Sequence, residues 1–479
     1  MIQPLAIEAS FDLLDLHVLN PQRYPHLLES SAPGPQGRFD ILFAFPGETI
    51  ALREPQAFDF LSTLDEYWQA QAGGHQAGGE LPFHGGWFLY LGYELAGQIE
   101  PQLRLPSATS ALPIASATRI PAAVVHDHKT GRRWIVAEQD DYARRVTEDI
   151  SRLDRLRTSA PFPGCEVEED PPQHYLDAVH RILAYIREGD VFQVNLSRQW
   201  QGSWPQGMPV DALYRQLRKT NPGPYNGLAT WGDSAILSSS PERLVAVRGG
   251  KVQTRPIAGT CPRGSGGDAD TAVADELLAH PKERAEHIML IDLERNDLGR
   301  IAIPGSVHVN ELMTLESYAT VHHIVSNVEA LMRAEITPGQ LIRAVFPGGT
   351  ITGCPKVRCM EIIAELENHG LPVIDLSSND MARLHIRHMV GGRAPVENER
   401  ILRFQFPERP GALLRFLRGM QSDWNISLFH YRNYGSEYGR VLMGIQVPAD
   451  DNERFRTFLE QTGYNYTTEA DNPAYDMFL

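Results

Sequence analysis

The sequence predicts an α+β protein: a mixed α/β sandwich over most of the chain, followed by a ferredoxin-like βαββαβ unit. Three observations carry this expectation. Strand and helix signals alternate through the first three quarters of the chain. Breaks rich in proline or glycine separate blocks of different pattern. The last eighty or so residues repeat a strand, helix, strand, strand, helix, strand order. A chain of 479 residues is long enough for two or three domains with full cores.

The elements follow in order. Residues 159–172 are acidic and rich in proline, which predicts a surface connection after a first part, 1–158. Residues 175–188 place Leu176, Val179, Ile182, Leu183 and Ile186 at helical spacing, and 191–196 follow as a strand. Residues 234–237 predict a strand ending in Ser238-Ser239-Ser240-Pro241. Residues 244–247 and 251–254 predict a hairpin around Gly249-Gly250. Residues 263–270 read as a flexible loop, and 281–293 as a helix with Pro281 in its first turn. The part 173–367 ends there. A linker-like segment, 369–397, contains Gly391-Gly392-Arg393-Ala394-Pro395. In 398–479, strands are expected at 401–406, 426–431, 441–447 and 464–467, with helices at 410–420 and 452–461. Its expected inward positions are Leu402, Phe404, Leu413, Leu417, Ile426, Leu428, Val441, Met443, Ile445, Phe455 and Leu459.

Composition narrows the function. A net charge of −16 argues against nucleic acid or an anionic membrane as partner. No apolar run approaches the ~18–20 residues that span a bilayer. The first eleven residues lack the basic and apolar regions of a signal peptide. Cys165, Cys261, Cys354 and Cys359 are too scattered for a disulfide framework, and buried reduced thiols in a cytoplasmic protein are expected. The acidic balance also means that an anionic substrate needs a bound cation or a local basic pocket.

Three clusters offer chemistry. In Lys282-Glu283-Arg284-Ala285-Glu286-His287, Glu283 and Glu286 share a helix face. Two carboxylates there suit Mg²⁺, which keeps open positions for substrate oxygens. The plain alternative is a solvated charged face, and Ala285, Met289 and Leu293 form a separate apolar face. Phe346-Pro-Gly-Gly-Thr-Ile-Thr-Gly-Cys-Pro-Lys356 reads as a glycine-rich turn leading into a helix with Pro355 in its first turn. Its free N–H groups, the Thr350 and Thr352 hydroxyls and the Lys356 charge could receive a carboxylate, or the segment is a structural turn. Glu242, just past a strand end, could act as a general acid if its pKa were raised, or simply pair with Arg243. His323 sits in an apolar context that usually holds a core histidine.

Together these pieces resemble the chorismate-utilising enzymes. The matching strings are Val-Phe-Gln-Val-Asn-Leu-Ser at 191–197, Ser-Ser-Pro-Glu-Arg at 239–243, Thr-Arg-Pro-Ile-Ala-Gly-Thr at 254–260, 282–287, Asp-Leu-Glu-Arg-Asn-Asp-Leu-Gly-Arg at 292–300, and 347–356. The resemblance implies that Glu286 ligates Mg²⁺ with Glu283 beside it. It also implies that Glu242 is the general acid, that Gln193 and His323 belong to the catalytic set, and that Gly349, Thr350 and Lys356 bind substrate. Isochorismate and salicylate synthases resemble each other in a lysine at the Gln193 position, so Gln193 points to an ammonia-using enzyme. Aminodeoxychorismate synthases often carry Lys where this chain has Ala258, as anthranilate synthases do not. Asn195, the Thr-Gly-Cys-Pro-Lys turn and Gly-Trp-Phe-Leu-Tyr-Leu-Gly-Tyr-Glu at 86–94 look more like the aminodeoxychorismate type. That type implies chorismate as substrate and a glutamine amidotransferase subunit as ammonia source. Anthranilate synthase component I is the alternative product class. Glu29, Ser30, Pro222 and Tyr225 resemble the family's tryptophan-binding elements, where a structural role is also open.

The resemblance stops near Glu367, before the family's last strands and remaining metal-site carboxylates, which predicts an incomplete site. From His369 the chain resembles the C-terminal, ACT-like regulatory region of biosynthetic threonine dehydratase, with the remnant of a first ACT-like unit and a linker over 369–397 and all of a second unit over 398–479. The strings are 369–377, 381–392, 406–416 and 424–432. That implies an amino-acid effector or a dimer contact. The dehydratase's pyridoxal-phosphate lysine and tetraglycine loop are absent, so a working dehydratase is excluded. A non-catalytic fusion keeping only the ACT-like module is the alternative from a different class.

Overall fold

A computed structural model describes residues 4–7, 10–32, 36–71, 80–106, 110–153, 161–169, 171–264, 266–367, 398–407, 412–420, 423–432, 438–448 and 450–469. The chain divides into two units, Met1–Ile182 with Val191–His369, and Leu183–Asp190 with Gly370–Leu479. The linker expected around 391–395 and the whole of 369–397 lie outside the described residues. No helix among the described residues is long and apolar enough to cross a membrane.

The first unit is built on a seven-stranded antiparallel sheet. Its order is Leu5–Ile7, Arg132–Ala137, Ala122–Asp127, Phe39–Ala44, His26–Glu29, Tyr225–Trp231, Ser234–Ser240. The sheet therefore takes strands from both sides of the 159–172 connection. Leu27, Leu42, Val124, Ile135 and Leu228 alternate onto one face, where Leu14, Leu16 and Tyr214 from helices cover them. A second sheet joins Thr49–Leu52, Ala115–Ile120 and Gly86–Leu91.

A five-stranded sheet carries the site. Its central strand, Val321–Leu331, is buried almost throughout. Lys251–Thr254 pairs with its C-terminal half and Ile257–Pro262 with its N-terminal half, while His308–Ser317 runs alongside most of it. The expected hairpin is present as Ala246–Arg248 and Lys251–Thr254. Gly249 and Gly250 both have positive φ, 59° and 77°, as a two-residue hairpin turn requires.

Several elements depart from expectation. The helix expected over 175–188 spans Pro172–Glu188, but of its apolar stripe only Ile182 is buried, with Leu176 and Leu183 exposed. The strand expected at 191–196 is only Gln193–Val194, paired with Gly353–Cys354. The loop expected at 263–270 instead opens the helix Gly267–Ala279, because Asp270 in its first turn is tied back to Arg263 and the Gly264 N–H. The helix expected to end at 293 runs Pro281–Gly299. Its buried face is His287, Leu290, Ile291, Glu294, Asp297 and Leu298, not the expected line of Ala285, Met289 and Leu293.

The C-terminal part folds in the expected βαββαβ order: Glu399–Pro407, Ala412–Gly419, Asn425–Arg432, Tyr438–Gln446, Asn452–Thr462, Asn465–Thr468. In that unit the sheet order is second, third, first, fourth strand, all antiparallel. Phe404, Phe416, Met443, Ile445, Phe455 and Leu459 form its core. Leu413 and Leu417 were expected there and are exposed, 40% and 41%, because the helix turns Ala412 and Phe416 inward instead. A bulge between Ile426 and Leu428 breaks the alternation, and Leu428 stays outside the core cluster.

Candidate active site

The site is assembled along the helix Pro281–Gly299. Glu283, Glu286, Glu294 and Asp297 recur at helical spacing, so one face of a single helix carries four carboxylates. Glycine lets that helix sit close to its neighbours at two points. A Cβ on Gly259, whose φ is +90°, would stand 3.0 Å from Ile324 Cδ1 and 3.5 Å from Glu283 Cβ. A Cβ on Gly349 would fall 2.4 Å from Leu293 Cδ2 and 3.5 Å from Glu294 Oε1. Gly259 therefore brings the start of the helix to the sheet, and Gly349 brings its middle to the glycine-rich turn.

Glu283 and Glu286 converge. The Lys282 ammonium lies 3.4 Å from a carboxylate oxygen of each, although Lys282 is 72% exposed. The two carboxylates thus already share one cation-sized position. Among the described residues, no third Asp, Glu, His or Cys completes a three-ligand group with them.

Deeper along the helix, Glu294 is buried. Desolvation, with the neighbouring Asp297 charge adding to it, pushes its carboxyl up to about 7. Asp297 is also raised by burial, and it is ion-paired with the Lys356 ammonium, which further donates to the Val345 carbonyl at 3.4 Å. This corrects the expected role of Lys356. A buried carboxylate needs a counter-charge, and Lys356 is committed to Asp297 rather than free for a substrate anion.

The glycine-rich segment is not a turn running straight into a helix. Gly349–Ile351 form a 3₁₀ turn, Gly353–Cys354 a short strand, and the helix starts at Lys356, with Pro355 just before it. Thr352 is buried and donates to the Gly348 carbonyl at 3.0 Å, so its hydroxyl is not available to a ligand. The Thr350 hydroxyl donates to Glu242 Oε1 at 2.7 Å. Burial drives the Glu242 carboxyl up to about 7 despite that hydrogen bond. The expected alternative, pairing with Arg243, is not among its contacts.

Gln193 lies against this segment. Its main chain pairs with Cys354, its carbonyl accepts from the Cys359 thiol at 3.1 Å, and its Oε1 is buried without a hydrogen-bond partner. Asn195 closes the same seam, its Nδ2 donating to the Thr350 carbonyl at 2.8 Å. A Cβ on Gly353 would collide with the Gln193 carbonyl at 2.1 Å, so only glycine fits there.

His323 is buried on the central strand. Its Nδ1 lies 2.7 Å from Thr260 Oγ1, its ring meets Tyr318 edge to face, and burial lowers its pKa, which favours neutral imidazole. His287 is likewise held, between the Ala258 carbonyl and the Ser326 hydroxyl. Ala258 itself is buried.

The tryptophan-like elements meet in space. Asn226 pairs with Glu29 across neighbouring strands, Ser30 Oγ donates to the Pro224 carbonyl at 2.8 Å, and the Ser31 N–H reaches the Gly223 carbonyl beside Pro222. Glu29 is ion-paired with Arg218 at 3.0 Å, and Tyr225 OH lies 3.4 Å from Gln36 Oε1. Of the cysteines expected to be buried, Cys359 is, whereas Cys165 is exposed; all four are free.

Sequence reasoning singled out Glu283 and Glu286 but assigned nothing to Glu294 and Asp297. The signal was available in their spacing on one helix face.

Residues 24–370 match the model for chorismate binding enzymes, and 390–479 match the C-terminal regulatory domain of threonine dehydratase. An anthranilate synthase component I-like protein from Synechocystis is 40% identical over 60% of this chain and 59% of its own length. Aminodeoxychorismate synthase component 1 from Bacillus subtilis is 40% identical over 60% of this chain and 64% of its own. The chain thus spans about three fifths of each of these relatives. The crystal structure of anthranilate synthase component I from Streptococcus pneumoniae superposes with a TM-score of 0.61 at 30% identity, covering 70% of this chain and 78% of that one.

Proposed function

The chain belongs to the chorismate-binding enzyme family, and on that premise we propose that it aminates chorismate to 4-amino-4-deoxychorismate, with ammonia supplied by a glutamine amidotransferase subunit. The observation that carries this reading is the partly buried Glu242 carboxyl, raised to about 7 and hydrogen-bonded by Thr350. A carboxyl that is substantially protonated near neutral pH can give its proton to a departing hydroxyl. Thr350 orients that carboxyl, and the buried, unpaired Gln193 Oε1 offers an acceptor to a ligand or to ammonia.

Glu283 and Glu286 suit Mg²⁺, because they already converge on the Lys282 ammonium as a stand-in cation. The ion would supply positive charge that offsets a dianionic substrate in a chain of net charge −16. His323, held by Thr260, would serve as a hydrogen-bonding group toward the substrate. Buried Ala258 offers no amine nucleophile, so ammonia adds to the ring directly. The same Ala258 favours a second reading, anthranilate as product.

One assay separates these readings. The purified chain is incubated with chorismate, ammonium and Mg²⁺, and products are resolved chromatographically. Formation of 4-amino-4-deoxychorismate supports the proposal, and anthranilate supports the second reading. Absence of both products after prolonged incubation rejects amination and leaves a non-catalytic fusion.

A further inference from the structure

We infer that Asp40, His126 and His128 form a binding site for a divalent transition-metal ion of the zinc class, built on the seven-stranded sheet rather than on the acidic helix. Asp40 and His126 are register partners on the strands Phe39–Ala44 and Ala122–Asp127. His128 lies just past the second strand, with its N–H held by the Arg38 carbonyl at 2.8 Å. Asp40 Oδ2 lies 3.2 Å from His126 Nδ1 and 2.8 Å from His128 Nε2. One ligand atom from each residue falls within 4.8 Å of the others. A tetrahedral ion with bonds of about 2.0–2.1 Å spaces its ligand atoms by roughly 3.3 Å. The two Asp40–His separations, 3.2 and 2.8 Å, lie within about half an ångström of that spacing, and the two imidazoles stay within 4.8 Å of each other.

The surroundings favour a metal over a simple ion pair. Asp40 is buried, and among the described residues no Lys or Arg pairs with it. Neighbouring charges are already matched, Asp127 with Arg38 and Glu29 with Arg218. The other oxygen of Asp40 accepts from the Ser30 N–H at 2.8 Å, which fixes the carboxylate in the way outer-shell hydrogen bonds fix metal ligands. Two imidazoles and one carboxylate suit zinc, cobalt, nickel or copper better than magnesium or calcium. The exposed side of His128 leaves room for water as a fourth ligand. Occupancy would brace the Ser30 end of its strand through Asp40.

The test uses the full chain, stripped with EDTA and dialysed, with Zn²⁺ or Co²⁺ alone as the probe. The expected result is about one equivalent of Zn²⁺ bound, a higher unfolding temperature, and a four- or five-coordinate Co²⁺ absorption spectrum. In His128→Gln and His126→Gln, affinity falls by more than the roughly 10–100-fold that loss of an outer-shell partner costs. A Glu283→Gln/Glu286→Gln chain keeps the Co²⁺ spectrum, which separates this site from the acidic helix. The inference is overturned by absence of binding, by a six-coordinate spectrum, by a thiolate charge-transfer band, or by unchanged affinity in His128→Gln. If a variant fails to fold, the wild-type Co²⁺ spectrum still decides.

Discussion

Thr350 donates its hydroxyl proton to Glu242 Oε1 at 2.7 Å, across 108 residues of sequence. The bond ties the glycine-rich turn to the end of the strand Ser234–Ser240. It is also the main influence lowering a carboxyl that burial otherwise raises.

The first prediction concerns pH and activity. An acid that works in its protonated form loses activity as pH rises through its pKa, here about 7. Glu242→Gln should reduce amination by ~10²–10⁴-fold. Thr350→Val removes a hydrogen bond to the carboxylate form, so the alkaline limb should move to higher pH. A pH–rate profile that stays in place in Thr350→Val would count against Glu242 as the acid.

The second concerns pH and stability. Glu242 and Glu294 both have folded pKa values near 7, above the ordinary 4.5. The folded state holds these two protons more tightly, so the stability that these two groups contribute is fully present below about 4.5. It declines as pH rises from there through about 7. The penalty at Glu242 is on the order of 3 kcal/mol at high pH. Glu242→Gln should therefore unfold at a higher temperature than the parent chain at pH 8, and the gap should shrink at pH 5.

The third concerns the buried pair of Asp297 and Lys356. Lys356→Met leaves a buried carboxylate without its counter-charge and should cost ~3–5 kcal/mol. Adding Asp297→Asn should recover much of that loss. Denaturant unfolding of the single and double variants measures the coupling, and equal losses in both would refute the pairing.

The fourth concerns the metal. Amination should stop in excess EDTA and in Glu286→Ala. Lys282→Ala should tighten Mg²⁺ binding, by up to roughly fivefold, since an exposed ion pair is worth ~0–1 kcal/mol. Titration calorimetry would show it. Weaker Mg²⁺ binding in Lys282→Ala would contradict competition between the ammonium and the ion.

The fifth concerns rate. Phe192 and Ile351 flank the Gln193–Cys354 seam at 73% and 54% exposure, and no third carboxylate joins Glu283 and Glu286 among the described residues. An open, under-liganded site stabilises charge poorly. Turnover should fall below ~1 s⁻¹, the low end of ordinary enzymes. Steady-state rates at saturating chorismate and ammonium settle this.

The sequence by itself determined the α+β class and the order of elements in the C-terminal unit. These follow from local periodicity and turn chemistry, which neighbouring residues carry among themselves. It also singled out Glu242, Glu283, Glu286 and Thr350 as candidates, because their motifs are contiguous. Tertiary structure alone decided which helix faces turn inward. Ala412 and Phe416 took the core in place of Leu413 and Leu417, since the packing partner, not the apolar character of a residue, selects the face. It alone committed Lys356 to Asp297, because burial of a carboxylate 59 residues away in sequence demands a counter-charge. It alone joined Asp40 to His126 and His128, because strand register makes neighbours of residues that no sequence spacing relates.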